Sequence, residues 1–419
     1  MPLPSSLIRN QQKNFLRLLT RLRPHIRADR ALPARIQSLL AQNRSYGARD
    51  RRLYRELLYT AIRYWPWIEP RLDKKPEVAM RFVAWLAADT PVTHEFRAAL
   101  IDGMPPLPAT VAARAEFLRV EGAPLPLWFR LHGPTLFSPP QLEAVLSRAP
   151  LWLRLQTPDP QAVFDEFAEH EWKWRRTAVL PGAIELLADI DLTKTRSYQD
   201  GLIEIQDLGS QLILESIGID PGSRWLDACA GAGGKTLQLA ALTGPRGHVD
   251  AHDIRADALR ELRVRAARAG LRNIAVLNSP NGQTYDGVLV DAPCSGSGTW
   301  RRAPHLKWST QPEHVEKAAQ ASSPCSTSLR PACAPVAASS TPPVRSAAGK
   351  TRTSSFLFLP RTASSPPRTS RAPSARSPTA AASPSCPRCT TPTAFSSLRS
   401  AGSDDFSIAA TRFAATMTA

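Results

Sequence analysis

Apolar positions follow three successive rhythms along this chain. From residue 5 to about 120 the spacing is helical: Phe15, Leu18, Leu19 and Leu22 share one face of a helix, and Leu53, Leu57 and Ala61 share another. From about Leu125 to Asp200 the rhythm shortens. Leu151 to Gln156 alternates with period two, Thr157-Pro-Asp-Pro160 turns the chain, and Gln161 to His170 predicts a helix with Val163, Phe164 and Phe167 on one side. From Leu202 onward strands and helices alternate. Strands are expected at Trp225–Asp227, Val249–Asp253, Ile274–Leu277 and Gly287–Asp291, and helices at Lys235–Leu242 and Ala256–Ala269. Such alternation predicts a parallel, doubly wound α/β sheet. The pattern divides the chain into a helical domain (1–124), a small α+β module (125–200), an α/β domain (201–320) and a tail (321–419).

The tail is set apart by composition. Residues 321–419 hold 21 Ser and 13 Pro but no Glu, Gln, Asn, His, Tyr or Trp, which predicts a disordered basic segment. They also carry 11 Lys+Arg against 2 Asp+Glu, out of 53 and 36 in the chain, so residues 1–320 hold 42 against 34. The net charge of +17 favours a polyanionic partner such as nucleic acid, although the folded part is only moderately basic. No signal-peptide core and no 18-residue apolar run occur, so a cytoplasmic, non-membrane protein is expected. Six cysteines do not make a disulfide framework. Cys386 and Cys389 form a Cys-x-x-Cys without a second pair, and no metal site is expected.

Two segments carry the chemistry. Gly287-Val-Leu-Val290 is a buried-strand signal ending in Asp291-Ala-Pro-Cys294, so a strand tip presents an acid, a stiffened turn and a thiol. Upstream, Trp225-Leu-Asp-Ala leads into Cys229-Ala230-Gly231-Ala232-Gly233-Gly234-Lys235 with the same grammar. Open α/β sheets bind ligands at that edge. Glycines at 231, 233 and 234 admit a tight turn and close approach of a ligand to the backbone. The helix start behind them favours a carboxylate, and Asp253, ending the next strand, is placed to hydrogen-bond ribose hydroxyls. Gly-Lys-Thr at 234–236 is not a P-loop, because Cys229 stands where the first glycine belongs. A Gly-rich turn that binds nothing, and a Cys294 that is merely small and buried, are the plain structural alternatives.

The ordered pair of motifs resembles the RsmB-type (Nop/Sun) RNA cytosine-carbon-5 methyltransferases. The resemblance spans residues 1 to about 315 and is densest from 202 to 308. It implies a Rossmann-like class I methyltransferase domain, preceded by a NusB-like helical domain (Ser45 to Arg63 is similar to one of its helices) and a ferredoxin-like RNA-binding module. It implies S-adenosyl-L-methionine held by residues 229–235, Asp253, Ser279 and Asp291. It also implies an RNA substrate, ribosomal RNA by expectation, and a monomer. Asp291 would contact the pyrimidine near nitrogen 3, and Cys294 would assist breakdown of a covalent adduct. Arg301, Arg302 and Lys307 would contact RNA phosphates. Trp172 and Trp174 are candidates for base stacking or for core packing, and the arginines of 48–63 for RNA contact or a solvated face.

The chain departs from that family in two places. Where an acid near the adenine is usual, it has Asn278, Ser279 and Asn281. The family's attacking cysteine lies in a later Thr-Cys motif, and no Thr-Cys occurs here. The residues from Cys333 to Thr353 can be back-translated with permitted codons that, read one base earlier, allow a Gly-Gly turn, an apolar strand, Thr-Cys-Ser and then acids. A one-base shift between about Val315 and Ser322 explains this. As written, the chain is expected to lack the nucleophile and the strands closing the sheet, leaving an open edge beside Gly287–Asp291 and impaired activity. A catalytically inactive RNA-binding protein that keeps the cofactor pocket is the alternative, and attack by Cys294 itself a third reading.

Overall fold

The computed structural model describes residues 4–279, 283–292, 294–328 and 356–357. Asn281, most of the tail, the Cys333–Thr353 segment, Cys386 and Cys389 lie outside the described residues.

The helical rhythm becomes α1 (Ser5–Ile26), α2 (Leu32–Gln42), α3 (Ala48–Arg63), α4 (Trp65–Ile68), α5 (Pro76–Leu86), α6 (His94–Leu100), α7 (Val111–Leu118) and α8 (Pro139–Leu146). The stripes that predicted α1 and α3 are the faces they bury: Phe15, Leu18, Leu19 and Leu22 meet Leu53, Leu57 and Ala61 in one core with Trp65 and Trp85. Burying each large side chain contributes about 1.5–3 kcal/mol. Val145 and Leu146 of α8 join this core, so the helical unit continues past the expected break at residue 124. Trp300 and Trp308, from far along the chain, join it too.

The small module consists of β1 (Leu151–Leu155), α9 (Gln161–Glu169), β2 (Trp174–Arg176), β3 (Ala183–Leu186), α10 (Arg196–Gln199) and β4 (Ile203–Ile205). Its sheet runs in the order β2-β3-β1-β4 with antiparallel pairings. Val163 and Phe167 of α9 pack on Leu153, Ile184 and Ile203. Trp174 stacks on Phe164 with ring centroids 4.5 Å apart, Trp172 stacks on His170 at 4.5 Å, and both pack against this core. Ile203–Ile205, expected to open the α/β domain, instead completes the module's sheet beside β1.

The α/β part follows: α11 (Leu208–Glu215), β5 (Arg224–Asp227), α12 (Gly234–Thr243), β6 (His248–Ala251), α13 (Ala256–Arg268), β7 (Ile274–Val276), β8 (Gly287–Asp291), α14 (Leu306–Ser309), α15 (Pro312–Ser328) and β9 (Phe356–Leu357). The order is β7-β6-β5-β8-β9, with β5 to β8 parallel. The chain moves outward from β5 through β6 to β7, then returns to place β8 on the other flank of β5. Gly287 opens β8 because a Cβ there would stand 2.4 Å from the Trp225 ring. Two expectations change here. The β8 edge pairs antiparallel with β9, Val290 opposite Leu357 and Asp291 opposite Phe356, and α15 runs to Ser328, past the compositional break.

Candidate active site

Reversal of strand order at β5, with β6 on one flank and β8 on the other, creates a switch point, the place where open α/β sheets take their ligands. The loop after β5 and the loop after β8 both leave the sheet there, because Asp227 pairs with Leu289 in adjacent strands. Gly231 and Gly233 adopt φ of +53° and +90°. At Gly233 a side chain would be strained and would meet Leu237 and Leu262 at 2.8 Å. Gly234 opens α12 with nothing within 4 Å of a would-be Cβ, so the backbone there is accessible to a ligand. Beneath the loop, fully buried Asp227 accepts from the Thr236 hydroxyl at 2.7 Å and from the Cys229 N–H at 3.4 Å. Burial pushes its carboxyl up to about 6.

Asp253 lies just beyond β6 and accepts from the Gly231 N–H at 2.8 Å, which ties the second strand tip to the glycine loop. Burial acts to raise its pKa, but hydrogen bonds from Arg255 and Gly231 prevail and hold it below the usual value. The neighbouring Ile254 is 87% exposed, an apolar surface beside the loop. It was missed in the sequence. Its signal was an isolated aliphatic residue directly after the strand-ending acid.

Beyond the strand pairing, the two sequence motifs meet through a side-chain ion pair. Lys235 Nζ donates to Asp291 Oδ2 at 2.7 Å, linking the first turn of α12 to the end of β8. Cys294, beyond it, is exposed, whereas Cys229 is half-buried and packs with Leu226, Tyr285 and Val288. Ala230 is buried among Ala251, Leu259 and Leu262, so only its backbone serves the loop. Ser279 follows β7 at the same sheet edge and is exposed. A glycine loop with accessible backbone at Gly234, one acid and one exposed apolar side chain at the same sheet edge suit a nucleoside bearing a charged amino-acid end. These residues fit that class of cofactor.

The basic triplet behaves differently from expectation. Lys307 is fully buried and donates to the carbonyls of Arg63 at 2.7 Å and Pro124 at 3.1 Å. It cannot reach a phosphate, and its assignment to RNA contact is corrected: burial in the helical core, not exposed charge, defines it. Its neighbours share that role, with Trp308 Nε1 donating to the Ile62 carbonyl at 2.6 Å and His305 contacting the Arg30 carbonyl at 3.2 Å. Arg302 is exposed and ion-paired with Asp207, and Arg301 donates to the Arg148 carbonyl at 3.3 Å. Arg301 and Arg302 follow the loop after β8, whereas Lys307 anchors the same segment to the helical core. Among the described residues there is no cluster able to hold a metal ion and no helix long and apolar enough to cross a membrane.

Known proteins resemble this arrangement. Residues 216–327 match the profile of the 16S rRNA methyltransferase RsmB/F family. The ribosomal RNA small subunit methyltransferase B of Pasteurella multocida is 27% identical over 187 residues, covering 42% of each chain. That of Serratia proteamaculans is 35% identical over 135 residues, covering 30% of this chain and 31% of its own. The matches therefore span less than half the length of these curated relatives. The crystal structure of PH0851 shares the fold, with a TM-score of 0.54 at 17% identity, covering 76% of this chain and 81% of that one. Over residues 216–327, the chain is similar to the RsmB/F methyltransferase family.

Proposed function

We propose that this chain is an S-adenosyl-L-methionine-dependent methyltransferase acting on carbon 5 of cytosine in ribosomal RNA. The observation that carries the reading is the Lys235–Asp291 contact, because it joins the glycine loop to the acid-and-thiol loop at one crevice. Bound there, the cofactor would supply an activated methyl group. Residues 229–235 would hold its amino-acid end, Asp253 its ribose, Ile254 and Ser279 the neighbourhood of its base.

The target pyrimidine is a weak nucleophile at carbon 5 and must leave its stack to be reached. Asp291, held by Lys235, would accept from ring nitrogen 3 once the adduct carries a proton there, and the exposed Cys294 thiol would act in adduct breakdown or at carbon 6. Arg301 and Arg302 would meet the RNA backbone. The helical unit and the antiparallel module, read as NusB-like and ferredoxin-like, would extend that surface, with the chain working as a cytoplasmic monomer.

A second reading is favoured by one observation: no Thr-Cys dipeptide occurs in the 419 residues. On that reading the chain binds cofactor and RNA but turns over slowly or not at all. Titration with S-adenosylhomocysteine, filter binding of ribosomal RNA and transfer of labelled methyl groups separate the two. Label recovered as 5-methylcytosine supports the first, with Asp291→Asn and Cys294→Ala reducing it. Binding of both ligands without transfer supports the second. A protein that binds no S-adenosylhomocysteine sinks both.

A further inference from the structure

The glycine loop is gripped from behind by two arginines of different origin. Arg154, on β1 of the small module, donates through Nη1 to the Gly234 carbonyl at 3.1 Å and to Gln206 Oε1 at 2.5 Å, and through Nη2 to Gln156 Oε1 at 2.8 Å. It is 6% exposed. Arg265, on α13, donates to the Ala232 carbonyl at 2.6 Å. Glu204 of β4, 2% exposed, orients that second arginine: one of its oxygens pairs with Arg265 at 3.0 Å and the other with Arg268 at 3.0 Å.

A guanidinium taken out of water is costly unless its donors are satisfied. Here the acceptors that satisfy Arg154 and Arg265 include two carbonyls of the cofactor loop itself. A peptide unit is planar, so holding a carbonyl oxygen sets the direction of the N–H on the next residue. Gripping Ala232 and Gly234 therefore fixes the 232–233 peptide plane, whose Gly233 N–H closes the loop turn on the Ala230 carbonyl at 2.9 Å, and the 234–235 plane that opens α12.

We infer that Arg154, acting with the Glu204-held Arg265, is a positioning residue by which the small module shapes the cofactor loop. The module is thus part of the cofactor site and not only a carrier for RNA. This rests on the proposed reading of residues 229–235 as that site.

The test compares full-length wild type with Arg154→Met, Arg154→Lys and, as a control on the same module, the exposed Arg175→Met. Two quantities are read: the dissociation constant for S-adenosylhomocysteine by calorimetry, and amide hydrogen exchange of residues 229–235 without ligand. Arg154→Met is expected to weaken binding about tenfold and to speed loop exchange, with β5 to β8 amides unchanged. Arg154→Lys, a single-point donor, should fall between the two, and Arg175→Met should match wild type. Arg154→Met with wild-type exchange and an affinity within about twofold of wild type would overturn the inference. Should Arg154→Met not fold, Arg154→Lys decides by the same two readouts. If wild type itself binds no S-adenosylhomocysteine, the reading of the site falls, and the ligand-free exchange rates still judge the grip.

Discussion

Lys235 and Asp291 stand 2.7 Å apart at the tips of adjacent elements, one from each of the two motifs. The lysine side chain is 15% exposed and the carboxylate 34%, so solvent screens the pair and its contribution to stability is about 1 kcal/mol or less. Its main work is orientation. In Lys235→Met, urea unfolding is expected to shift by no more than that, while S-adenosylhomocysteine affinity and any methyl transfer drop by about tenfold or more. Unchanged affinity and transfer would remove the contact from the functional argument.

Asp227 makes stability depend on pH in a direction opposite to that of a paired surface acid. Its folded pKa of about 6 lies above the ordinary 3.8. Between those values the folded chain holds more protons than the unfolded one, so stability falls as pH rises through that window and levels off above it. Asp227→Asn keeps an acceptor for Thr236 and removes the buried charge. Relative to wild type it should gain stability from pH 4 to pH 7, on the order of 2 kcal/mol in total. Thermal melts across that range check the sign.

Gly201 marks the seam between the module and α13. Its φ is +71°, and a Cβ would stand 2.1 Å from the Arg268 carbonyl oxygen. Gly201→Ala combines left-handed strain with a backbone clash and is expected to cost at least about 2 kcal/mol. The same variant should loosen the Glu204–Arg268 contact and speed exchange in β4. A wild-type melting temperature would contradict the close approach.

Lys307 provides a test of anchor against phosphate contact. Burial sets its pKa well below 10.5, so the unfolded chain stays protonated to higher pH than the folded one, and stability rises as pH increases between the two values. Lys307→Met should abolish that rise. It also leaves the Arg63 and Pro124 carbonyls without their donor, costing about 1–3 kcal/mol near neutral pH. The slope of RNA affinity against salt should stay at its wild-type value, whereas loss of a phosphate contact would reduce it by about one.

What the sequence determined by itself was local. The spacing of Phe15, Leu18, Leu19 and Leu22 marked the buried face of α1, and the strand ends at Asp227 and Asp291 marked the ligand edge, because helical and extended backbones present side chains at set intervals. Glycine positions announced the loop for a similar reason: a residue without Cβ at 233 reports a backbone conformation and a close neighbour. The tertiary structure decided everything that depends on which surface a side chain finds. Lys307 and Arg302 are both basic residues in one short segment, yet Lys307 donates to a carbonyl 244 positions away while Arg302 remains exposed and pairs with Asp207. Arg154 looked like an ordinary strand residue until β1 came to lie behind Gly234, and β4 changed sheets because its backbone partners lie in β1. Charge and periodicity are properties of a residue and its near neighbours, but desolvation and hydrogen-bond partnership belong to the folded assembly, which chain order does not encode at short range.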